Sequence, residues 1–146
     1  MTDTPAPLAS ALIPVGARVT FAKTVTESDI GLFAGITGDF SPNHVNAEYM
    51  AGTPYGRPIA HGVLTIGLMS TCSTRILELH RPERPCVSLG YDRVRFLAPV
   101  FAGDTITVTY EITEQQPERG RTIAAVEATN QRGETVAAAT HILRFL

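Results

Sequence analysis

The chain has 146 residues, 12 Lys and Arg against 14 Asp and Glu, a formal net charge of −2, and 44% hydrophobic residues. This composition fits one globular domain, large enough to bury a core without disulfides or metals. The absence of a basic run argues against nucleic-acid binding by phosphate neutralisation, so a ligand must be recruited by a local site. Cys72 and Cys86 lack C-x-x-C spacing, so reduced thiols are the default, with a disulfide between them left open. His44, His61, His80 and His141 show no H-E-x-x-H or paired Cys/His spacing, so no metal site is expected. The opening Met-Thr-Asp-Thr-Pro-Ala-Pro has neither a basic leader nor an apolar signal core, and no apolar run approaches the roughly 18 residues of a membrane span. A soluble cytoplasmic protein is the expectation.

In chain order, residues 1–14, with their prolines, are expected to form a flexible or draped arm. A single domain over 15–146 follows. Arg18–Val25 alternates as a strand. Thr26 reads as an N-cap, with Asp29 completing a capping box before a short helix from about Glu27 to Ile36, and Gly38 sits where helices stop. Pro42–Tyr55 reads as irregular or as short helical turns. A long helix is expected from roughly Ile59 to Leu79. Its first half is apolar almost all round, the mark of a helix buried on most sides. Gly67 inside it costs about 1 kcal/mol against Ala, which predicts a close packing partner. Strand-like stretches then run over Cys86–Val100, Asp104–Thr113, Arg121–Thr129 and Glu134–Phe145, with turns at Pro117–Gly120 and Asn130–Gly133. Ile106, Val108, Tyr110 and Ile112 share one face of the second stretch. Antiparallel strands need a cover for their apolar face, and the long helix is the only element able to supply it. The fold class is therefore α+β, an antiparallel sheet wrapped around a central helix.

The turn after the short helix carries a carboxylate, Asp39, and an imidazole, His44, across a segment that Gly38 and Pro42 keep out of regular helix. Taken alone, Asp39 could cap the turn and His44 sit on the surface; the other reading is proton transfer to an organic substrate. Gly62 lies in the first turn of the long helix, where free N–H groups and the helix dipole favour negative charge and a missing side chain permits close approach. Its alternative role is tight packing of helix against sheet. His61, next to it, reads as a neutral histidine with a local hydrogen bond rather than the base.

These two segments carry a resemblance. Phe33, Ile36, Thr37, Gly38, Asp39, Pro42 and His44 fill the signature of the MaoC-like family of (R)-specific enoyl-CoA hydratases and 3-hydroxyacyl-thioester dehydratases. Ser41 stands where that signature has Asn, Asn43 where it has an aliphatic residue, and Met50 where a small residue is common. Arg57-Pro-Ile-Ala-His-Gly62 is similar to the family's helix-opening motif, and Tyr91–Val100 with Gly103-Asp104 resembles its first meander strands. The resemblance covers nearly the whole chain beyond residue 15. It implies the hot-dog fold and syn hydration of an enoyl thioester.

Such hydration needs a base to activate water, an acid to protonate Cα and a donor for the thioester oxygen. His44 is the natural base, Asp39 can hold the same water and relay the proton, and the Gly62 amide would be the oxyanion donor. The resemblance also places Ser70 near the site, about two turns along the helix; as an internal helix hydroxyl it could equally bond back to a carbonyl. Phe33, Tyr49, Met50, Tyr55, Phe96 and Leu97 are candidate walls of the acyl pocket, and Ser41 bears on how the turn is positioned. Arg57, Arg84, Arg93 and Arg95 are candidates for coenzyme A phosphates, with surface solvation as the default for each. Coenzyme A would enter as part of the substrate, with no separate cofactor and no membrane or nucleic-acid partner. Exposed sheet edges predict a C2 homodimer or an assembly of such dimers. Two other readings compete: dehydration of thioesters on acyl carrier protein, and hot-dog thioester hydrolysis or acyl-CoA binding, which would not need the Asp39–His44 spacing.

Overall fold

The computed structural model describes residues 12–146. Its elements are β1 (Arg18–Thr24), α1 (Glu27–Thr37), α2 (Pro42–Val45), α3 (Ala47–Ala51), α4 (Gly62–His80), β2 (Cys86–Phe96), β3 (Thr105–Gln116), β4 (Arg121–Thr129) and β5 (Thr135–Phe145). The strands form one five-stranded antiparallel sheet in the order β1-β3-β4-β5-β2. Helix α4 packs across β1, β3 and β4. Its inward stripe, Leu68, Met69, Cys72 and Ile76, meets Ile106, Val108, Tyr110 and Ile112 of β3, each of these four 0% exposed. Each such side chain contributes about 1.5–3 kcal/mol on burial. The alternation read along β3 is thus the core face of the sheet, and the helix-in-sheet arrangement is the expected one.

The described chain departs from expectation in several places. Leu12 and Ile13 are 7% and 1% exposed and belong to the core, and the Gln115 side chain donates to the Ile13 carbonyl at 2.8 Å. The arm expected over 1–14 therefore does not extend through these two residues; its remainder, residues 1–11, lies outside the described residues. Helix α4 begins at Gly62 rather than Ile59. The preceding backbone is engaged elsewhere: Ile59 N–H donates to the Asn43 carbonyl at 2.9 Å and Ala60 N–H to that of Val100 at 2.7 Å. Strand β2 stops at Phe96, where Leu97 N–H turns to the Val136 carbonyl at 2.8 Å. Strand β3 runs on to Gln116, because Arg121 of β4 pairs with it.

Burial of α4 on most sides is not observed. Val63 is 59% exposed, Gly67, Ser70 and Thr74 are exposed on the same face, and a Cβ added at Gly67 would meet nothing within 4 Å. The close partner expected for Gly67 is not found among the described residues. β2, at a sheet edge, is also apolar on its exposed side, at Val87 and Leu89, and is bulged between Ser88 and Gly90 and between Asp92 and Arg95. Cys72 and Cys86 are free thiols, and burial pushes Cys86 up to about 11.

A polar network crosses the core. His141 of β5 is 0% exposed; its Nδ1 pairs with the Tyr110 hydroxyl at 2.8 Å and its Nε2 with that of Ser88 at 2.7 Å. Tyr91 stacks on its ring at 4.2 Å. Burial lowers the His141 pKa to about 4 and raises that of Tyr110. The ring is therefore neutral and held at both ends.

Candidate active site

The local sequence builds the turn as its residues dictate. Thr26 and Asp29 form the capping box that starts α1, and Gly38 ends it with φ 80° and its N–H on the Ala34 carbonyl. Only a residue tolerant of the left-handed region suits that end. Thr37 Oγ1 donates to the Phe33 carbonyl at 2.7 Å and accepts from Asp39 N–H at 3.2 Å. Asp39 Oδ1 accepts the Ser41 N–H at 3.2 Å, an Asx-type turn, after which Pro42 opens α2. Asn46 caps α3 by accepting the Tyr49 N–H at 2.9 Å. Each joint thus has a side chain that closes it locally.

These joints bring His44 toward Asp39, with Nε2 and Oδ2 4.0 Å apart; the side chains are 13% and 52% exposed. The other imidazole nitrogen, Nδ1, lies 2.7 Å from the Ile59 carbonyl. A carbonyl only accepts, so Nδ1 carries the proton in the neutral ring and Nε2 presents its lone pair toward the carboxylate. The segment before α4 grips this part of the chain twice, through the Asn43 carbonyl and through His44 Nδ1.

His44 and Gly62 line one open cavity of about 250 Å³, together with Tyr55, Ile59, Thr65, Val136 and the run Phe96–Val100. Gly62 is the first residue of α4, and among the described residues its N–H has no backbone acceptor. Its packing role is also real: a Cβ there would stand 2.8 Å from the Phe96 ring, so the glycine accommodates Phe96 while leaving its amide free. A second, more apolar cavity of about 390 Å³ also reaches His44, between α1, Val45, Ala47, Arg57, Pro58 and Ala102.

Other candidates are distributed unevenly. Tyr55, Phe96 and Leu97 are cavity walls. Phe33 is half-buried against the ring of His61, with centroids 4.8 Å apart. Ser41 contributes its backbone to the turn. Tyr49 is 55% exposed on α3, and Met50, 1% exposed, belongs to the interior; neither lines the two cavities. Ser70 is exposed on α4, away from both. Of the arginines, Arg57 lies 4.3 Å over the Phe101 ring on the wall of the larger cavity, while Arg84 donates to the Leu146 carbonyl at 2.6 Å and Arg95 to that of Val94 at 2.7 Å. Arg93 occupies a bulge of β2 at φ 54°. Ile59, Thr65 and Val136 carry no motif that marks them; they reach the site through long-range packing.

His61 does not make the local bond expected of it. Its Nε2 lies 3.0 Å from the carbonyl of Asp39, and its ring stacks on His44 with centroids 3.7 Å apart. Asp39, His44 and His61 thereby gather potential ligand atoms within 4.8 Å of one another. An imidazole binds a metal through an in-plane lone pair, and two rings stacked at 28° aim those lone pairs along near-parallel planes rather than at one point.

The model of the MaoC like domain matches residues 13–135. An (R)-specific enoyl-CoA hydratase of Rhodospirillum rubrum is 38% identical over 107 residues, 73% of this chain and 71% of that protein. A 3-hydroxybutyryl-CoA dehydratase of Methylorubrum extorquens is 38% identical over 109 residues, 75% of this chain and 66% of that protein, just under two thirds of it. Among solved structures, the unliganded R-hydratase PhaJ1 of Pseudomonas aeruginosa superposes with a TM-score of 0.80 at 32% identity, covering 95% of this chain and 84% of that one. The sheet wrapped on a single helix, the turn that carries Asp39 and His44 and these likenesses agree: the chain belongs to the MaoC-like family of hot-dog-fold hydro-lyases.

Proposed function

We propose that the protein catalyses the reversible syn hydration of a trans-2-enoyl-CoA to the (R)-3-hydroxyacyl-CoA, with Asp39 and His44 as the acid–base pair and the Gly62 amide as oxyanion donor. The observation that carries this reading is the 4.0 Å gap between His44 Nε2 and Asp39 Oδ2, with Nδ1 already committed to Ile59. The gap is too wide for a direct hydrogen bond and suits a water held by both groups. In the forward direction His44 Nε2 takes a proton from that water as its oxygen bonds to Cβ. The π electrons move toward the thioester, whose oxygen gains negative charge opposite the Gly62 N–H at the positive end of α4. Cα then takes a proton by way of Asp39, and His44 Nε2 gives up the water's proton to Asp39 in its place, so both groups end as they began: one water is consumed, with H on Cα and OH on Cβ. The reading uses no resident cofactor; coenzyme A is part of the substrate, and His44 acts in proton transfer rather than as a metal ligand.

The same reading includes a homodimer. The exposed apolar residues of edge strand β2 and the exposed Val63–Gly67–Ser70 face of α4 support it, because both are surfaces that a second copy would cover. Light scattering is expected to give twice the chain mass or a multiple of it; a stable, active monomer would contradict this. Among the described residues no helix is long and apolar enough to cross a membrane. The chemistry is tested with crotonyl-CoA, following enone absorbance and free thiol together. Loss of absorbance without thiol release is expected. Thiol release would mean hydrolysis, and no change would remove the hydration reading for this substrate. Repeating the assay with the carrier-protein thioester determines which carrier is preferred.

A further inference from the structure

The acid–base scheme leaves His61 without a role, yet its side chain touches both members of the pair. It stands at the N-cap of α4, where Ser, Thr, Asn or Asp normally accepts a first-turn N–H, and it makes no such bond. Its ring points instead to the turn. Nε2 lies 3.0 Å from the Asp39 carbonyl, and because that oxygen only accepts, Nε2 carries the proton. One face of the ring is stacked on His44 at 3.7 Å, and Phe33 lies against it at 4.8 Å. The remaining nitrogen, Nδ1, is buried with no hydrogen-bond partner among the described residues, and the residue is 2% exposed. The same burial bars Nδ1 from reaching substrate, which excludes His61 as the base.

We propose that His61 is a positioning residue: through its Nε2–H it ties the Asp39–His44 turn to the N-terminus of α4. Its N–H sets the peptide of the acid and its ring sets the plane of the base. The residue directly after it, Gly62, is the first of the helix and supplies the oxyanion amide, one of the first-turn N–H groups that have no partner within α4. One side chain thereby fixes the distance between the two halves of the site.

This inference builds on the hydration reading only for its kinetic arm. His61→Phe keeps a ring and loses the donor; His61→Gln keeps an N–H near the place of Nε2 and loses the ring. In the full-length protein, His61→Phe is expected to lower kcat for crotonyl-CoA by about 10- to 100-fold per folded molecule, with KM within about threefold, since small misplacements of reacting groups cost that much. His61→Gln is expected to recover part of the loss. Long-range proton–nitrogen NMR of the imidazoles is expected to show His61 protonated at Nε2 in the unmodified protein, and His61→Phe to move the His44 ring and Phe40 amide signals. A lowered melting temperature with unchanged kcat per folded molecule in both variants would overturn the proposal. So would a His61 protonated at Nδ1, or His44 and Phe40 signals that stay in place. Should the unmodified protein hydrate no enoyl thioester, the functional reading fails while the tautomer and signal shifts still decide the role of His61.

Discussion

Two histidines of this chain occupy opposite kinds of place. His141 sits in the core with a hydroxyl on each nitrogen, at 2.8 and 2.7 Å, and is 0% exposed. His44 sits at a cavity wall with one nitrogen fixed on a carbonyl at 2.7 Å and the other facing a carboxylate 4.0 Å away. Both are oriented by hydrogen bonds. What separates them is whether the second nitrogen is already committed. A fully satisfied imidazole is locked into structure, whereas a half-satisfied one is held in place and keeps a lone pair for chemistry.

The largest effect that tests this contrast is loss of the proposed base. His44→Ala is expected to lower kcat/KM for crotonyl-CoA by about 10³-fold, near 4 kcal/mol of transition-state stabilisation; a decrease below tenfold would break the comparison. Next comes the pH response of His141. Its folded pKa of about 4 lies below the ordinary value of 6.5, so the unfolded chain binds the extra proton first. That stability is complete above pH 6.5 and is lost as pH falls toward 4, by about 3 kcal/mol in all. Urea unfolding at stepped pH should show this slope. His141→Phe should be less stable at pH 7, because Tyr110 loses its partner, and flat across the same window; an equal slope in both proteins would remove His141 as the cause.

Asp39→Asn ranks third, with an expected drop of about 10²-fold in kcat, or near 2.7 kcal/mol. An amide still contacts water but cannot relay a proton, so near-normal turnover would reassign the acid. Gly62→Ala is the mildest. Its Cβ would stand 2.8 Å from Phe96, and the displaced ring is expected to cost about tenfold in kcat, near 1.4 kcal/mol. Adding Phe96→Ala should restore part of the rate if crowding is the cause, and none if it is not.

Much of the fold was legible because its signals are local or periodic. The Thr26–Asp29 capping box, the stop at Gly38, the alternation in β3 and the turns at Pro117–Gly120 and Asn130–Gly133 each follow from a few neighbouring residues. The Asp39–His44 turn was readable for the same reason: Gly38 and Pro42 shape it from within. What escaped depends on contacts across the chain. The late start of α4 follows from Ile59 and Ala60 pairing with Asn43 and Val100, which no local pattern announces. The bond from His61 to the Asp39 carbonyl, the Phe96 ring against Gly62 and the core placement of His141 are likewise long-range. Exposure of Gly67 and Val63 escaped for another reason: apolar character marks a face that needs covering without saying that the same chain covers it.

The most direct test runs the crotonyl-CoA absorbance assay on His44→Ala and His141→Phe side by side, at pH 7.5 and corrected for folded protein. The account predicts that the first loses about a thousandfold in kcat/KM while the second stays within about threefold of the unmodified protein. Comparable rates in the two variants, or the larger loss in His141→Phe, would contradict it.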